Sequence, residues 1–257
     1  MTTSPSPATL LPEELLAMME TAEQSDSMEF KLTVPAEAYR TAAKALAIDP
    51  LDAQIRQVFF FDTPELTLNA AGLVVRARRI QGRDGDSTVK LRPILPADVD
   101  ESFRTSPRFA VEVDAMPGTY VCSGSMKHAI GSDVVLRSVS GKRPLRKLFS
   151  KEQRAFFATH APAGLSIDDL SVLGPILVLK LKVRPTRSSR RLVVELWVYP
   201  DGSRVLELST KATPHEGLRV AVEMRALLAD LDIPLDGDQQ TKTKTALEFF
   251  AAELRAG

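Results

Sequence analysis

The sequence predicts an α+β fold built on one antiparallel sheet, and three observations carry that expectation. The first is a hairpin. Residues 73–79 (LVVRARR) and 87–92 (STVKLR) alternate apolar and charged side chains across a Gly- and Asp-rich turn. Period two puts Arg76 and Arg78 on one strand face and Val75 and Ala77 on the other, and it separates Lys90 and Arg92 from Val89 and Leu91 in the same way. The second observation is recurrence. Glu29 and Lys31, Glu112 and Asp114, Lys180 and Lys182, Glu195, and Glu207 with Lys211 all alternate with Val, Leu, Met or Phe. The third is the pair of helical stretches that close the chain, 214–231 and 241–254, the former with Val220, Met224 and Leu227 at helical spacing. A sheet with one apolar and one charged face either shows the charges to water or curls to enclose them. An enclosed lining of Lys, Arg and Glu suits a densely charged ligand.

Taken in order, residues 1–10 are rich in Ser, Pro and Thr and are expected to be mobile. A short helix is expected over 11–20, with Pro12 in its first turn and Glu13 and Glu14 at its positive end. The first strand begins near Ser27. Pro35 opens a helix that Asp49-Pro50 ends, and the second strand covers 54–62. After the hairpin, 95–107 reads as a polar loop, 108–115 as a strand, 117–132 as one short helix and 147–159 as a strand. Gly174-Pro175 reads as a break before a strand over 176–183, and Pro200-Asp201-Gly202 as a hairpin turn between strands 192–199 and 203–210. The chain divides into a leading segment, 1–26, and one domain, 27–257.

Composition removes several function classes. Lys and Arg total 33, as do Asp and Glu, so no net field draws nucleic acid, and any useful cations are local. One cysteine, Cys122, excludes an internal disulfide and a cysteine metal cluster. His128, His160 and His215 share no ligand spacing, which argues against a His-based zinc site. No Gly-x-Gly-x-x-Gly or Walker-type loop occurs. The first residues lack a basic and then apolar leader, and no long apolar run occurs, so no membrane partner and a cytoplasmic setting are expected.

The motifs resemble the CYTH family of triphosphate tunnel metalloenzymes. Ser27-Met-Glu29-Phe-Lys31 is similar to that family's opening Glu-x-Glu-x-Lys. Phe61-Asp62-Thr63, Leu68, Gly72 and Arg76-Ala-Arg78 are similar to its next block, and Lys90-Leu-Arg92 and Arg108 to Asp114 follow in order. Matches after that are looser: 151–154 resembles a basic strand, Glu195 an acidic one, and Glu207 to Lys211 the last acidic one, with Lys242 or Lys244 on the C-terminal helix. The resemblance implies an eight-stranded antiparallel β-barrel with a charged lumen and helices outside. It implies that Arg76, Arg78, Lys90, Arg92, Arg154 and Lys182 hold a triphosphate or polyphosphate. It further implies that Glu29, Lys31 and Glu207 are catalytic, and that Glu29, Glu112, Asp114, Glu195 and Glu207 bind Mg²⁺ or Mn²⁺. Two positions depart from the family pattern: Ser27 and Ser209 stand where it has carboxylates. Triphosphate hydrolysis, a catalytically degenerate binding module and adenylate cyclisation all follow from the same family.

Overall fold

The computed structural model describes residues 10, 12–186, 188, 190–235 and 242–256, so the expectation of mobility for the first residues falls almost wholly outside the described chain. Helix α1 (Pro12–Glu23) leads into β1 (Ser27–Val34), then α2 (Tyr39–Ala45), β2 (Gln54–Asp62) and a single turn, α3 (Thr67–Ala70). The hairpin is β3 (Leu73–Ile80) and β4 (Arg83–Leu91). After α4 (Glu101–Arg104) come β5 (Phe109–Met116), β6 (Thr119–Ile130), α5 (Ser132–Val139) and α6 (Lys151–His160). The chain finishes with β7 (Ser171–Val183), β8 (Leu192–Val198), β9 (Arg204–Ala212), α7 (Gly217–Asp230) and α8 (Lys242–Ala256).

The strands close into one barrel in the order β1-β5-β6-β4-β3-β2-β7-β8-β9. A ring of nine strands cannot alternate direction all the way round, so one neighbouring pair must be parallel. That pair is β1 and β5, with Ser27 to Phe30 opposite Glu112 to Ala115. The barrel is therefore mixed, where the resemblance implied eight antiparallel strands.

Two segment readings are corrected, one in each direction. Residues 117–132 form β6, where a helix was expected. Its Ser and Gly positions are strand positions: Val121, Ser123, Ser125 and Lys127 lie in phase with Asp114, Glu112, Lys90 and Thr88 on the neighbouring strands. Gly124 is on the opposite face, where a Cβ would stand 2.7 Å from the Phe109 ring. Conversely, most of 147–159 is helix α6, where a strand was expected. Ser150 and Gln153 form a reciprocal capping box that starts it. Gly174-Pro175 lies within β7 as an irregularity opposite Val58 to Phe60, and not as a break before it.

The outer wall is apolar and buried twice over. On one side α1, α5 and α6 cover Val75, Ala77, Val89, Val111 and Val113, and on the other α2 and α7 cover Leu32, Val194 and Leu208. A third apolar cluster lies within the ring. Val58, Phe60, Ile176, Val178 and Trp197 point inward at one end and meet Ala246, Leu247 and Phe250 of α8, which closes that end. No helix among the described residues is long and apolar enough to cross a membrane.

Candidate active site in the barrel lumen

Register decides which side chains face inward. Directly paired residues share a face, so Arg76 and Arg78 lie with Thr88 and Asp86, with Phe60 and Val58, and through β7 with Lys180 and Glu195. Glu29, Lys31, Ser209 and Glu207 share that face on the other side of the ring, next to Asp114 and Glu112. The sequence-level faces of the β3–β4 hairpin therefore do converge on one interior.

The signature residues around this hairpin are mostly scaffold. Asp62 accepts backbone hydrogen bonds from Thr63 and Leu68, each at 2.8 Å, and from Asn69 at 3.0 Å, which fixes the turn into α3. Leu68 is fully buried. Gly72 sits at φ +77°, and a Cβ there would stand 2.5 Å from the Arg92 carbonyl oxygen. That close approach brings Arg92 to the rim of the closed end.

Three zones line the lumen. The open end is basic. Arg78 makes a two-point bond to Asp86, at 2.8 and 2.7 Å, and Arg56 donates to Gln54 Oε1 at 2.7 Å. Lys127 lines the same end, exposed and with no ion pair among the described residues. Arg76, one step deeper, has no ion pair among the described residues, and its buried Nε lacks a hydrogen-bond partner. Burial and the neighbouring Arg78 push its pKa down to about 10.

The middle zone is a web of acids and lysines. Glu29, Glu112 and Asp114 each place a carboxylate oxygen within 4.8 Å of the others. Lys31 bridges Asp114 at 2.7 Å and Glu29 at 3.3 Å, Lys90 bonds Asp114 at 3.2 Å, and Lys211 donates to Glu112. Burial alone would raise the Asp114 pKa, but Lys90 and Lys31 outweigh it and hold the carboxyl well below its usual range. Burial works to lower the Lys31 pKa, yet Asp114, Glu29 and Glu207 raise it overall. Lys90 is the counter-case: burial, reinforced by Lys31 and Arg92, overcomes Asp114 and pushes it down to about 8. Ser27 and Ser209 donate to Glu112 and Glu29, at 3.3 and 3.1 Å. Hydroxyls thus stand beside the acids at the two positions where the resembled family carries more carboxylates.

The third zone lies under α8. Lys242, the helix's first residue, reaches into the ring and donates to Glu195 at 2.6 Å and Glu207 at 2.5 Å. Its ammonium lies 5.0 Å from the centre of the Trp197 ring, while Lys180 holds the other oxygen of Glu195 at 2.8 Å.

The structure therefore brings together Glu29, Lys31, Arg76, Arg78, Lys90, Glu112, Asp114, Glu195 and Glu207, with Arg92 at the closed rim. It does not bring in Arg154. That residue lies on the outer helix α6, exposed, and its guanidinium donates to the Phe149 carbonyl at 2.7 Å. The helix displaces it, since α6 packs on the outside of the wall. Lys182 is in phase with Lys180 but is exposed at the end of β7. Arg56, Asp86 and Lys127 were missed. Their alternation within 54–62, 83–91 and 119–130 was the available signal, masked by the aromatic run after Arg56, the turn around Asp86 and the helical reading of β6.

No protein-family model matches the chain, and no curated relative does. Solved structures do match. One is a Hippeastrum protein, a candidate adenylyl cyclase described as having a dominant triphosphatase activity. It aligns with a TM-score of 0.61 at 15% identity, over 86% of this chain and 95% of its own. Another is a candidate adenylate cyclase from Bacillus halodurans, with a TM-score of 0.60 at 14% identity, over 86% of this chain and 97% of its own. The likeness is one of fold: a closed barrel with helices around it.

Proposed function

We propose that this chain binds a triphosphate-bearing anion, inorganic tripolyphosphate or an organic triphosphate, inside the barrel and hydrolyses it with a divalent metal. The observation that carries the reading is Arg76, a guanidinium buried in the lumen with no carboxylate partner among the described residues, near Arg78, Lys90 and Arg92. An unpaired buried cation is costly, and a polyanion offsets that cost with charge-assisted, two-point bonds. The CYTH resemblance and the triphosphatase activity described for the Hippeastrum structure agree with it.

In this reading Arg76 and Arg92 hold phosphate oxygens directly, and Arg78 exchanges Asp86 for phosphate. Lys31 and Lys90 neutralise the end of the chain nearest the acids. Glu29, Glu112 and Asp114 are the residues that would hold Mg²⁺ or Mn²⁺. Three oxygens converging within 4.8 Å suit a hard cation that takes oxygen ligands at roughly 2.0–2.6 Å. A bound divalent ion would supply polarisation of the phosphoryl group. Glu29, half-buried and fixed by the Ser209 hydroxyl, is placed to orient water and take its proton. Glu195 and Glu207 act through Lys242, as anchors of α8. Small-molecule phosphates are the partners this reading names, and nucleic acid and membranes are not among them.

A second reading, a binding module without turnover, is favoured by one observation: the three central carboxylates are already paired with Lys31, Lys90 and Lys211. Phosphate release from tripolyphosphate, ATP and thiamine triphosphate in Mg²⁺ or Mn²⁺ decides between them. Metal-dependent release supports hydrolysis. Saturable binding without release supports the module. Cyclic AMP formed from ATP would instead support adenylate cyclisation.

A further inference from the structure

Outside the barrel, the loop after α5 borders a wide, open depression of about 540 Å³ whose lining includes Ser138, Lys142, Arg143, Leu145, Arg146 and Asp168. Cations dominate its polar lining. The one acid, Asp168, is already held by Arg146, through both the backbone N–H and the guanidinium. Lys142 and Arg143 have no ion pair or side-chain hydrogen bond among the described residues, although Arg143 is half-buried. Ser138 is 2% exposed, and its hydroxyl has no partner either.

A solvated basic loop would explain Lys142 but not the other two groups. Lys142 and Arg143 follow the negative end of α5, which favours their charge, but Arg143 bonds none of its terminal carbonyls and keeps its donors free among the described residues. A buried hydroxyl without a partner is uncommon in native structures and calls for one. A half-buried guanidinium, an ammonium and an orphan hydroxyl in one concavity make the donor set that phosphate oxygens accept from. We propose that this depression is a second anion site, independent of the lumen, for a small phosphate-bearing ligand. Arg143 is its two-point donor, Lys142 its point charge and Ser138 its hydroxyl donor. The apolar side chain of Leu145 in the lining leaves room for an organic group on that phosphate.

The test is a titration of the full chain with inorganic phosphate, followed by amide NMR shifts at constant ionic strength. Saturable shifts are expected at Gly141, Lys142 and Arg143. Arg143→Ala should weaken that saturation by about tenfold or more, the loss of a charged hydrogen bond, while shifts around Arg76 persist. Ser138→Ala, a small change at the helix end, should weaken the same site and no other. Shifts that follow ionic strength and not phosphate, or saturation unchanged in both variants, overturn the proposal. Failure at this site leaves the lumen reading intact, because the two sets of shifts are read separately.

Discussion

The two ends of the lumen are made from opposite materials. The closed end is apolar and internally paired: Phe60, Trp197 and α8 pack together, and Lys242 is matched by Glu195 and Glu207. Beside it and out toward the open end cations are in excess: Arg76, the register partner of Phe60, and Lys127, at the exposed rim, are unmatched among the described residues. A barrel built only for stability would pair or replace Arg76, since buried charge without a partner costs free energy. The contrast teaches that one part of the lumen satisfies its own charges within the fold, while the other leaves cations that the proposed anion would match.

Mutations should separate the two ends. The largest effect is expected at the closed end. Lys242→Met leaves Glu207 without a direct cation in a buried setting, and should destabilise the fold by about 3–5 kcal/mol in urea unfolding. A loss below about 1 kcal/mol would show that α8 is not held by this pair.

At the open end the signs should differ. Arg76→Ala should weaken tripolyphosphate binding by about 1.5–3 kcal/mol in calorimetry, while stability stays level or rises. Arg154→Ala, on the outer helix, should change neither. Equal effects of the two substitutions on binding would erase the distinction between lumen and surface.

Lys90 gives the pH signature. Its pKa in the fold is about 8, below its ordinary 10.5, so it sheds its proton as pH rises through 8 and the phosphate grip weakens. Lys90→Arg, which stays charged, should flatten the decline in affinity between roughly pH 7.5 and 9.5. Folding stability should move the other way. Between about 8 and the unfolded value the unfolded chain binds the proton that the folded chain lacks, so Lys90's contribution to stability rises with pH there. Parallel affinity profiles for the wild type and Lys90→Arg would remove Lys90 from the grip.

The smallest effect concerns Lys211, whose side chain is 56% exposed and pairs with Glu112 at the edge of the acid cluster. Lys211→Ala should free that carboxylate and tighten Mn²⁺ binding by a few-fold, within the ~1 kcal/mol of an exposed pair. Weaker Mn²⁺ binding would mean that the lysine, and not a metal, is the cluster's proper partner.

Much of this contrast was legible in the sequence. Period two located both charged faces of the β3–β4 hairpin because strand register preserves it, and Gln54–Asp62 matched as a whole element. The errors came where local signals competed. The small residues that made 117–132 read as a helix belong to a strand, where Gly124 serves the Phe109 contact across β5 and β6. The Ser150–Gln153 capping box was present but unread, so Arg154 was assigned to a strand it does not join. The closed end was less legible still. Period two puts Trp197 on the lumen face with Glu195, but what covers it is α8, a contact between strand and terminal helix that no local pattern encodes.

Diffraction from crystals soaked in tripolyphosphate and Mn²⁺ tests the central claim most directly. The account predicts an anomalous manganese peak among Glu29, Glu112 and Asp114, with phosphate density bonded to Arg76 and Arg78 inside the barrel. Phosphate bound only on the outer surface, or manganese seated at Glu195 and Glu207 with Lys242 displaced, would contradict it.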